Sequence, residues 1–91
     1  MNKRAFKDSV YAELAKVTKS MASPRRLEII ELLAQGECSV ERIAEQTNLS
    51  IANASQHLQV LKQALLVDIK RQGNFIYYRL SHHNVFKVWK A

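Results

Sequence analysis

The chain has 91 residues, of which 47% are hydrophobic, and a formal net charge of +6. This length supports one domain with a modest core and leaves little room for a separate catalytic domain. No apolar run approaches the ~20 residues that a membrane-spanning helix needs, and the charged N-terminus lacks the apolar region of a secretory signal.

Two helices are predicted in the first third of the chain. An apolar stripe indicates a helix over residues 4–22, and a second helix begins at Pro24 and stops at Gly36. Ser23 is a favoured N-cap, and proline suits the first helical position. The stripe of the first helix consists of Phe6, Val10, Leu14, Val17 and Met21. In the second helix we expect three residues to face inward, namely Leu27, Ile30 and Leu33.

The middle of the chain predicts two helices joined by a tight turn at Asn48-Leu49. Ser39 can cap a short helix over residues 40–47, and Ser50 can cap a fourth helix that extends to about Ala64. On a helical wheel the apolar residues of the fourth helix lie within one narrow arc, so we expect them to face the core. They are Ile51, Ala54, Leu58, Leu61 and Leu65. Val60 falls outside the arc, and the sequence leaves open whether a partner or lateral packing covers it.

The last third of the chain predicts a β-hairpin. Two alternating segments, residues 67–71 and 75–80, are separated by the turn-forming residues Gln72-Gly73-Asn74. Residues 84–91 begin another amphipathic helix. The predicted fold is therefore mostly α with a small β-hairpin, with about five helices plus a two-stranded wing in one domain over residues 1–91. This is the order of a winged helix-turn-helix, which places its second helix in the major groove of DNA and its hairpin on the flanking backbone.

Charge is unevenly distributed along the chain. Residues 1–45 carry seven acidic and eight basic residues, whereas residues 46–91 carry six basic residues and one acidic residue, Asp68. A surface that binds a polyanion needs few carboxylates, because each one repels phosphate. Residues 46–67 contain no carboxylate at all. General solubility could explain the total charge, but the asymmetry favours a nucleic-acid partner.

The fourth helix and the hairpin supply the candidate DNA-binding residues. Asn53 and Gln56 each carry a donor and an acceptor on one amide, so they could pair with an adenine edge. Arg71 and Arg79 are the favoured phosphate partners, with a solvated strand face as the alternative. The full candidate set is Ala52, Asn53, Ser55, Gln56, Gln59, Lys62, Lys70, Arg71, Gln72, Asn74 and Arg79.

Three segments resemble motifs of the ArsR/SmtB-type winged helix-turn-helix repressors. Residues 23–29 (SPRRLEI) resemble the second-helix signature, residues 49–62 resemble the recognition helix with its Ser-x-His-Leu-x-Val-Leu core, and residues 72–80 resemble the wing. The resemblance implies a cytoplasmic repressor that binds double-stranded DNA as a homodimer through its first and last helices. Some relatives continue into a C-terminal rhodanese-like domain, so the chain is either complete or the N-terminal part of a longer protein.

The chain departs from the metal-sensing relatives at their ligand positions. Their Cys-x-Cys pair corresponds to Ser39 and Glu41, and the last-helix region offers only the adjacent His82 and His83. Soft-metal sites usually need several thiolate or imidazole ligands, so we expect no metal and no cofactor. Cys38, the single cysteine, cannot form an internal disulfide, which fits a reducing compartment. It is either a small buried apolar residue or a sensor of oxidants or sulfur species.

The sequence contains no pattern that indicates catalysis, and we do not expect this chain to be an enzyme. No Ser/His/Asp or Cys/His set has a plausible third member, and only two glycines are present for a phosphate-binding loop. The alternative to DNA binding is a protein-interaction module that docks a partner on the outer face of residues 52–63. Arg25 and Arg26 could contact the DNA backbone or form an ion pair with Glu28 or another acid. His57 is best explained as a packed, hydrogen-bonded side chain.

Overall fold

Four helices and three short strands make up residues 2–81, the part of the chain that this computed structural model describes. In chain order they are α1 (Lys3–Ser20), α2 (Pro24–Gln35), β1 (Cys38–Ser39), α3 (Val40–Thr47), α4 (Ile51–Gln63), β2 (Val67–Gln72) and β3 (Phe75–Leu80). The mostly helical class and the hairpin are confirmed. The helix count within these residues is four and not about five, and the helix predicted at residues 84–91 lies outside them.

A side-chain cap fixes the start of each described helix. The side-chain oxygens of Ser23, Ser39 and Ser50 accept hydrogen bonds from amides three residues further on, at 3.4, 3.2 and 3.0 Å. The first amides of a helix have no partner within it, so a cap of this kind contributes about 1 kcal/mol. All three predicted caps are confirmed. Asn2 caps α1 in the same way and was not predicted. α1 begins one residue earlier than the predicted residues 4–22 and ends two residues earlier.

The tight turn between α3 and α4 depends on one residue in the left-handed region. Asn48 ends α3 with a φ of 57°, and the Leu49 amide then donates 2.9 Å back to the Ala44 carbonyl. Asparagine tolerates this backbone conformation better than most residues. Ser50 starts α4 immediately afterwards. The predicted helix-turn-helix is therefore present, with α4 as its second helix.

One apolar core joins the end of α1 to α2, α3, α4 and the base of the hairpin. Its buried members are Val17, Ile29, Leu33, Cys38, Ile43, Ala44, Ala54, Leu58, Leu61, Leu66 and Val67. The inward orientation of Ala54, Leu58 and Leu61 is confirmed.

Three residues expected in the core are exposed instead. Leu27, Ile51 and Leu65 have exposed fractions of 50%, 52% and 46%. Leu27 lies off the buried face of α2, which centres on Ile29 and Leu33. Ile51 is the first residue of α4, and the first buried residue of that helix is Ala54. Leu65 lies beyond the end of α4 and has a φ of 63°, in the left-handed region, so it does not continue the helical arc. A helical wheel does not register where neighbouring elements stop.

The sheet has one strand more than the predicted two-stranded wing. Its order is β1-β3-β2, and both pairings are antiparallel. The hairpin turn is Gly73-Asn74, because Gln72 still pairs with Phe75; glycine provides the positive φ of 64° at the first turn position. The predicted turn was therefore one residue too long. β1 has only two residues, which is too short for any alternation to be visible in the sequence.

Candidate nucleic-acid interface

The outer face of α4 is polar, exposed and free of carboxylates. Ser50 starts the helix, and its buried side is held against the core by Ala54, Leu58 and Leu61. The remaining positions are therefore directed to solvent. All six predicted α4 contacts lie on this outward surface: Ala52, Asn53, Ser55, Gln56, Gln59 and Lys62. The face is thus a continuous stripe of small and amide side chains with one cation at its C-terminal end.

The wing separates its predicted contacts onto two faces. Residues directly opposite each other in an antiparallel pair share a face. Arg71 pairs with Ile76 and shares the helix-packed face with Ile69 and Tyr78, whereas Lys70, Gln72 and Arg79 lie on the opposite face. Arg71, Gln72 and Asn74 are exposed near the turn. Arg71 and Arg79, the two favoured phosphate partners, are therefore not brought together.

Glu37 engages the two basic residues on the second wing face. Its carboxylate lies 3.3 Å from the Lys70 ammonium and 4.0 Å from the Arg79 guanidinium. The Nε of Arg79 is buried and has no hydrogen-bond partner among the described residues. Sequence reasoning missed Glu37 because its position depends on β1. In the described part of the wing, Arg71 is the basic residue without an ion pair at a carboxylate.

Arg26 joins α1, α2 and α4 through two hydrogen bonds. Its Nε donates to Nδ1 of His57 at 3.1 Å, and its guanidinium donates to the Ser20 carbonyl at 3.1 Å. Burial, followed by the charges of Arg26 and Arg25, lowers the pKa of His57 below 6.5. The prediction of a packed, hydrogen-bonded histidine is confirmed. Arg26 therefore has a structural role in this state, but its partners are His57 and a backbone carbonyl and not the acid of the expected ion pair.

Arg25 is paired with an acid on its own helix. Its guanidinium lies 3.0 Å from the Glu28 carboxylate, one turn along α2, and both side chains are nearly half exposed. Such an exposed pair contributes little to stability and can exchange partners readily. The ion pair is the alternative found here, and Arg25 remains available to a phosphate at low cost.

Val60, the apolar residue outside the core arc of α4, lines a groove between α4 and the end of α1. The groove has a volume of about 510 Å³, and its apolar floor includes Val17, Val60, Ala64 and Leu65. Val60 is half-buried here. Val60 is one helical turn from Gln56 and so borders the polar stripe, and the choice between a partner and lateral packing stays open.

Cys38 lies in the core and in β1. It is a free thiol with a 5% exposed fraction, and its Sγ lies 3.7 Å from the Gly36 carbonyl oxygen. The buried-residue interpretation is confirmed, while a sensing role stays a prediction. Within residues 2–81 no group of three His, Cys, Asp or Glu side chains is placed to hold a metal ion. His82 and His83 lie outside the described residues.

Comparison with known proteins identifies the family. The profile of the family described as "Bacterial regulatory protein, arsR family" matches residues 23–68, which span α2, the helix-turn-helix and the start of the wing. The transcriptional repressor SdpR of Bacillus subtilis is 42% identical over 65 residues, covering 71% of this chain and 72% of that protein. The chain belongs to the ArsR family of bacterial regulatory proteins. The predicted family membership is confirmed.

Two further relatives add the fold and the extent of the match. A solved homodimeric winged helix-turn-helix DNA-binding domain, Mb0332 fragment 1-100 from Mycobacterium bovis, superposes with a TM-score of 0.83 at 39% identity, covering 99% of this chain and 82% of that one. The HTH-type transcriptional regulator Rv0324 of Mycobacterium tuberculosis is 41% identical over 83 residues. That match covers 91% of this chain but 37% of the Rv0324 protein. No described helix is long and apolar enough to cross a membrane.

Proposed function

We propose that this chain is a transcription repressor that binds double-stranded DNA through α4 and the β2–β3 wing. The observation that carries the proposal is the exposed, carboxylate-free face of α4. α4 is the second helix of a helix-turn-helix, and the chain belongs to the ArsR family. An α-helix fits the major groove of B-DNA, and small and amide side chains let it approach the base edges. Relatives named as repressors support the regulatory direction.

Base reading falls to the first two turns of α4. Asn53 and Gln56 are exposed on this part of the helix, and their amides match the donor and acceptor of an adenine edge. Ala52 and Ser55 are short side chains beside them, and Ala52 can contact a thymine methyl. Gln59 and Lys62 lie further along the helix, where phosphate is the expected partner. Sequence preference should therefore depend on Asn53 and Gln56 before any other residue.

The wing supplies backbone contacts near its turn. Arg71 has no carboxylate partner among the described residues, and Gln72 and Asn74 are exposed beside it. These side chains can donate to phosphate oxygens, which position the protein without reading sequence. Lys70 and Arg79 belong to the same wing but are engaged by Glu37 in this state. Arg71 is therefore the principal phosphate partner that we assign to the wing.

The proposed active form is a homodimer. The solved Mb0332 relative is described as homodimeric, and Phe6 and Tyr11 of α1 are exposed here. A two-fold dimer presents two α4 helices to successive major grooves, so the operator should contain near-palindromic half-sites about one helical turn apart. The predicted contribution of the last helix lies outside the described residues. A cytoplasmic location, the absence of catalysis in this chain, and a single winged helix-turn-helix domain over residues 1–91, alone or as the N-terminal part of a longer protein, belong to the same proposal.

Selection of bound sequences from random DNA, followed by fluorescence anisotropy on the selected duplex, tests this function. We expect saturable binding that survives competitor DNA and weakens steeply with salt. A selected motif with two related half-sites supports the dimer. Failure to enrich any motif, together with binding that competitor DNA abolishes, would favour the protein-interaction alternative on residues 52–63.

A further inference from the structure

Glu37 reaches the wing because β1 forms the outer strand of the sheet. Cys38 pairs with Tyr78 and Ser39 pairs with Tyr77, so the antiparallel register continues to Glu37 opposite Arg79. Both carboxylate oxygens are used, since Oε1 lies 3.3 Å from Lys70 and Oε2 lies 4.0 Å from Arg79. An acid from outside the hairpin is thereby held on the hairpin's basic face.

The basic face of the wing is electrically balanced as a result. Asp68 is opposite Arg79 in the β2–β3 register and lies on the same face as Glu37. Two carboxylates therefore accompany Lys70 and Arg79, and this face has no net charge despite its two cations. The turn end of the wing, with Arg71, carries the positive charge that is not balanced in this way.

We propose that Glu37 competes with the DNA backbone for Lys70 and so keeps the protein's affinity for DNA below the value that its basic residues would otherwise give. The inference rests on the proposed function, because it needs the wing to approach phosphate. A phosphate and the Glu37 carboxylate are alternative anionic partners for the same ammonium group. On binding DNA, Lys70 therefore exchanges the Glu37 carboxylate for a phosphate, and the net gain in affinity from this residue is small.

Lys70 is the cation that changes partner, and Arg79 stays on the sheet. The ammonium of Lys70 is carried on a flexible four-carbon chain and is 41% exposed, so it can turn towards DNA. The Arg79 side chain is similarly exposed, at 42%, but its Nε is buried, and this limits the movement of its guanidinium. Glu37 itself is 37% exposed, which leaves the pair accessible to an approaching phosphate.

The experiment compares Glu37→Gln with Glu31→Gln by anisotropy titration on the selected operator across a series of salt concentrations. Both variants remove one negative charge, but Glu31 is on α2, and no described side chain forms an ion pair with it. We expect Glu37→Gln to bind about three- to tenfold more tightly at low salt. We also expect its log affinity to fall more steeply with log salt, by about 0.9, because no freed carboxylate takes up a cation when Lys70 moves to phosphate, and the net release is one counterion greater. Glu31→Gln should leave the salt slope unchanged.

A double-mutant cycle identifies the cation. Lys70→Gln alone should change affinity by less than about twofold, because the wild-type residue already has an anionic partner. Combined with Glu37→Gln it should abolish the gain in affinity and the extra slope. The single Lys70 variant also keeps the test informative should Glu37→Gln alter the fold, which thermal melting would show.

The outcomes separate this inference from the proposed function. Glu37→Gln affinity equal to or lower than wild type, on an operator that wild type binds saturably, overturns the competition and leaves the function intact. A gain in affinity that persists in the double variant also overturns it. A wild-type protein with no saturable binding to any duplex overturns the proposed function, and the inference with it.

Discussion

Asn53 and Gln56 are three positions apart and share the exposed side of α4, so both amides can reach one stretch of the major groove. Replacing either residue by alanine should change which base pairs are preferred at its site and weaken operator binding by about 1–3 kcal/mol. Competition anisotropy with single-base operator variants measures this preference. Gln63→Ala is the matched control, because Gln63 is an exposed amide on the same helix that faces the α1 groove. Unchanged preference in both variants would show that α4 does not read sequence.

Arg71 should act on all DNA sequences alike. We expect Arg71→Gln to weaken operator and unrelated duplexes by similar factors and to lower the slope of log affinity against log salt by about 0.9, because one phosphate contact is lost. Titrations of both duplexes over a salt series measure the two effects. Arg4→Gln removes the same charge from the exposed start of α1 and should leave the slope unchanged. A loss confined to one base pair would contradict the phosphate role.

His57 makes stability depend on pH in one direction. The folded state lowers the pKa of His57 below 6.5, chiefly by burial, so the unfolded chain binds a proton at a higher pH than the folded chain does. The stability that the neutral ring contributes is complete above its unfolded pKa and is lost as the pH falls through the folded pKa. Urea denaturation from about pH 7.5 to about pH 5.5 should therefore show a decreasing free energy of unfolding.

The His57→Gln variant provides the control for that decrease. Its amide oxygen can accept the hydrogen bond from Arg26 without titrating, so its free energy of unfolding should decline less over the same pH range. Parallel curves for the two proteins would mean that other groups cause the pH dependence.

Much of this residue-scale detail could be predicted from sequence. The serine caps follow from local preferences, and they are found where expected. The pairing of Glu37 with Lys70, residues 33 positions apart, depends on the register of β1, which no local pattern encodes. The same holds for Arg26 and His57. Candidate surface residues were therefore identified by type and position, whereas their partners required the structure.

At the scale of elements, the stability of α4 depends on the Ser50 cap at its start. Ser50→Ala should lower the free energy of unfolding by about 1 kcal/mol, because the Asn53 amide loses its acceptor. Ser50→Gly should lower the free energy of unfolding by only a few tenths of a kcal/mol. Ser55 is exposed inside the same helix, so Ser55→Ala should have almost no effect. Chemical denaturation of the three variants measures the differences. Equal losses for Ser50→Ala and Ser55→Ala would show that the cap does not limit stability.

The helices and the hairpin were predictable because each has enough residues for its period to be recognised. Ala54, Leu58 and Leu61 repeat at helical spacing and are buried, but the same spacing wrongly included Ile51 and Leu65. Periodicity states which side of an element is apolar and does not state how far the neighbouring elements extend along it. β1 could not be predicted, because a strand of two residues is too short to show a period and is defined only by its pairing with β3.

At the scale of the whole molecule, the apolar stripe of α1 enters the core only near its end. Val17 is buried, whereas Phe6 remains 61% exposed within the described residues. If α1 forms the proposed dimer interface, Phe6→Glu should shift the protein towards monomer and weaken operator binding at least tenfold, because paired half-sites are then bound singly. Light scattering after size exclusion measures the mass. Phe75→Glu, an equally exposed aromatic on the wing, should leave the dimer intact.

Because the start of α1 is exposed, we expect its order to depend on the protein concentration. Within residues 2–81, the segment from residue 2 to residue 9 is entirely exposed, so in the proposed dimer the amides of the first turns of α1 should gain protection from solvent exchange on association. Deuterium uptake there should rise as the protein is diluted below its dimer dissociation constant, while the amides of α2 and α4, held by the core, exchange at unchanged rates. The proposed repressor should therefore lose the order of its first helix and its binding to paired half-sites in the same concentration range.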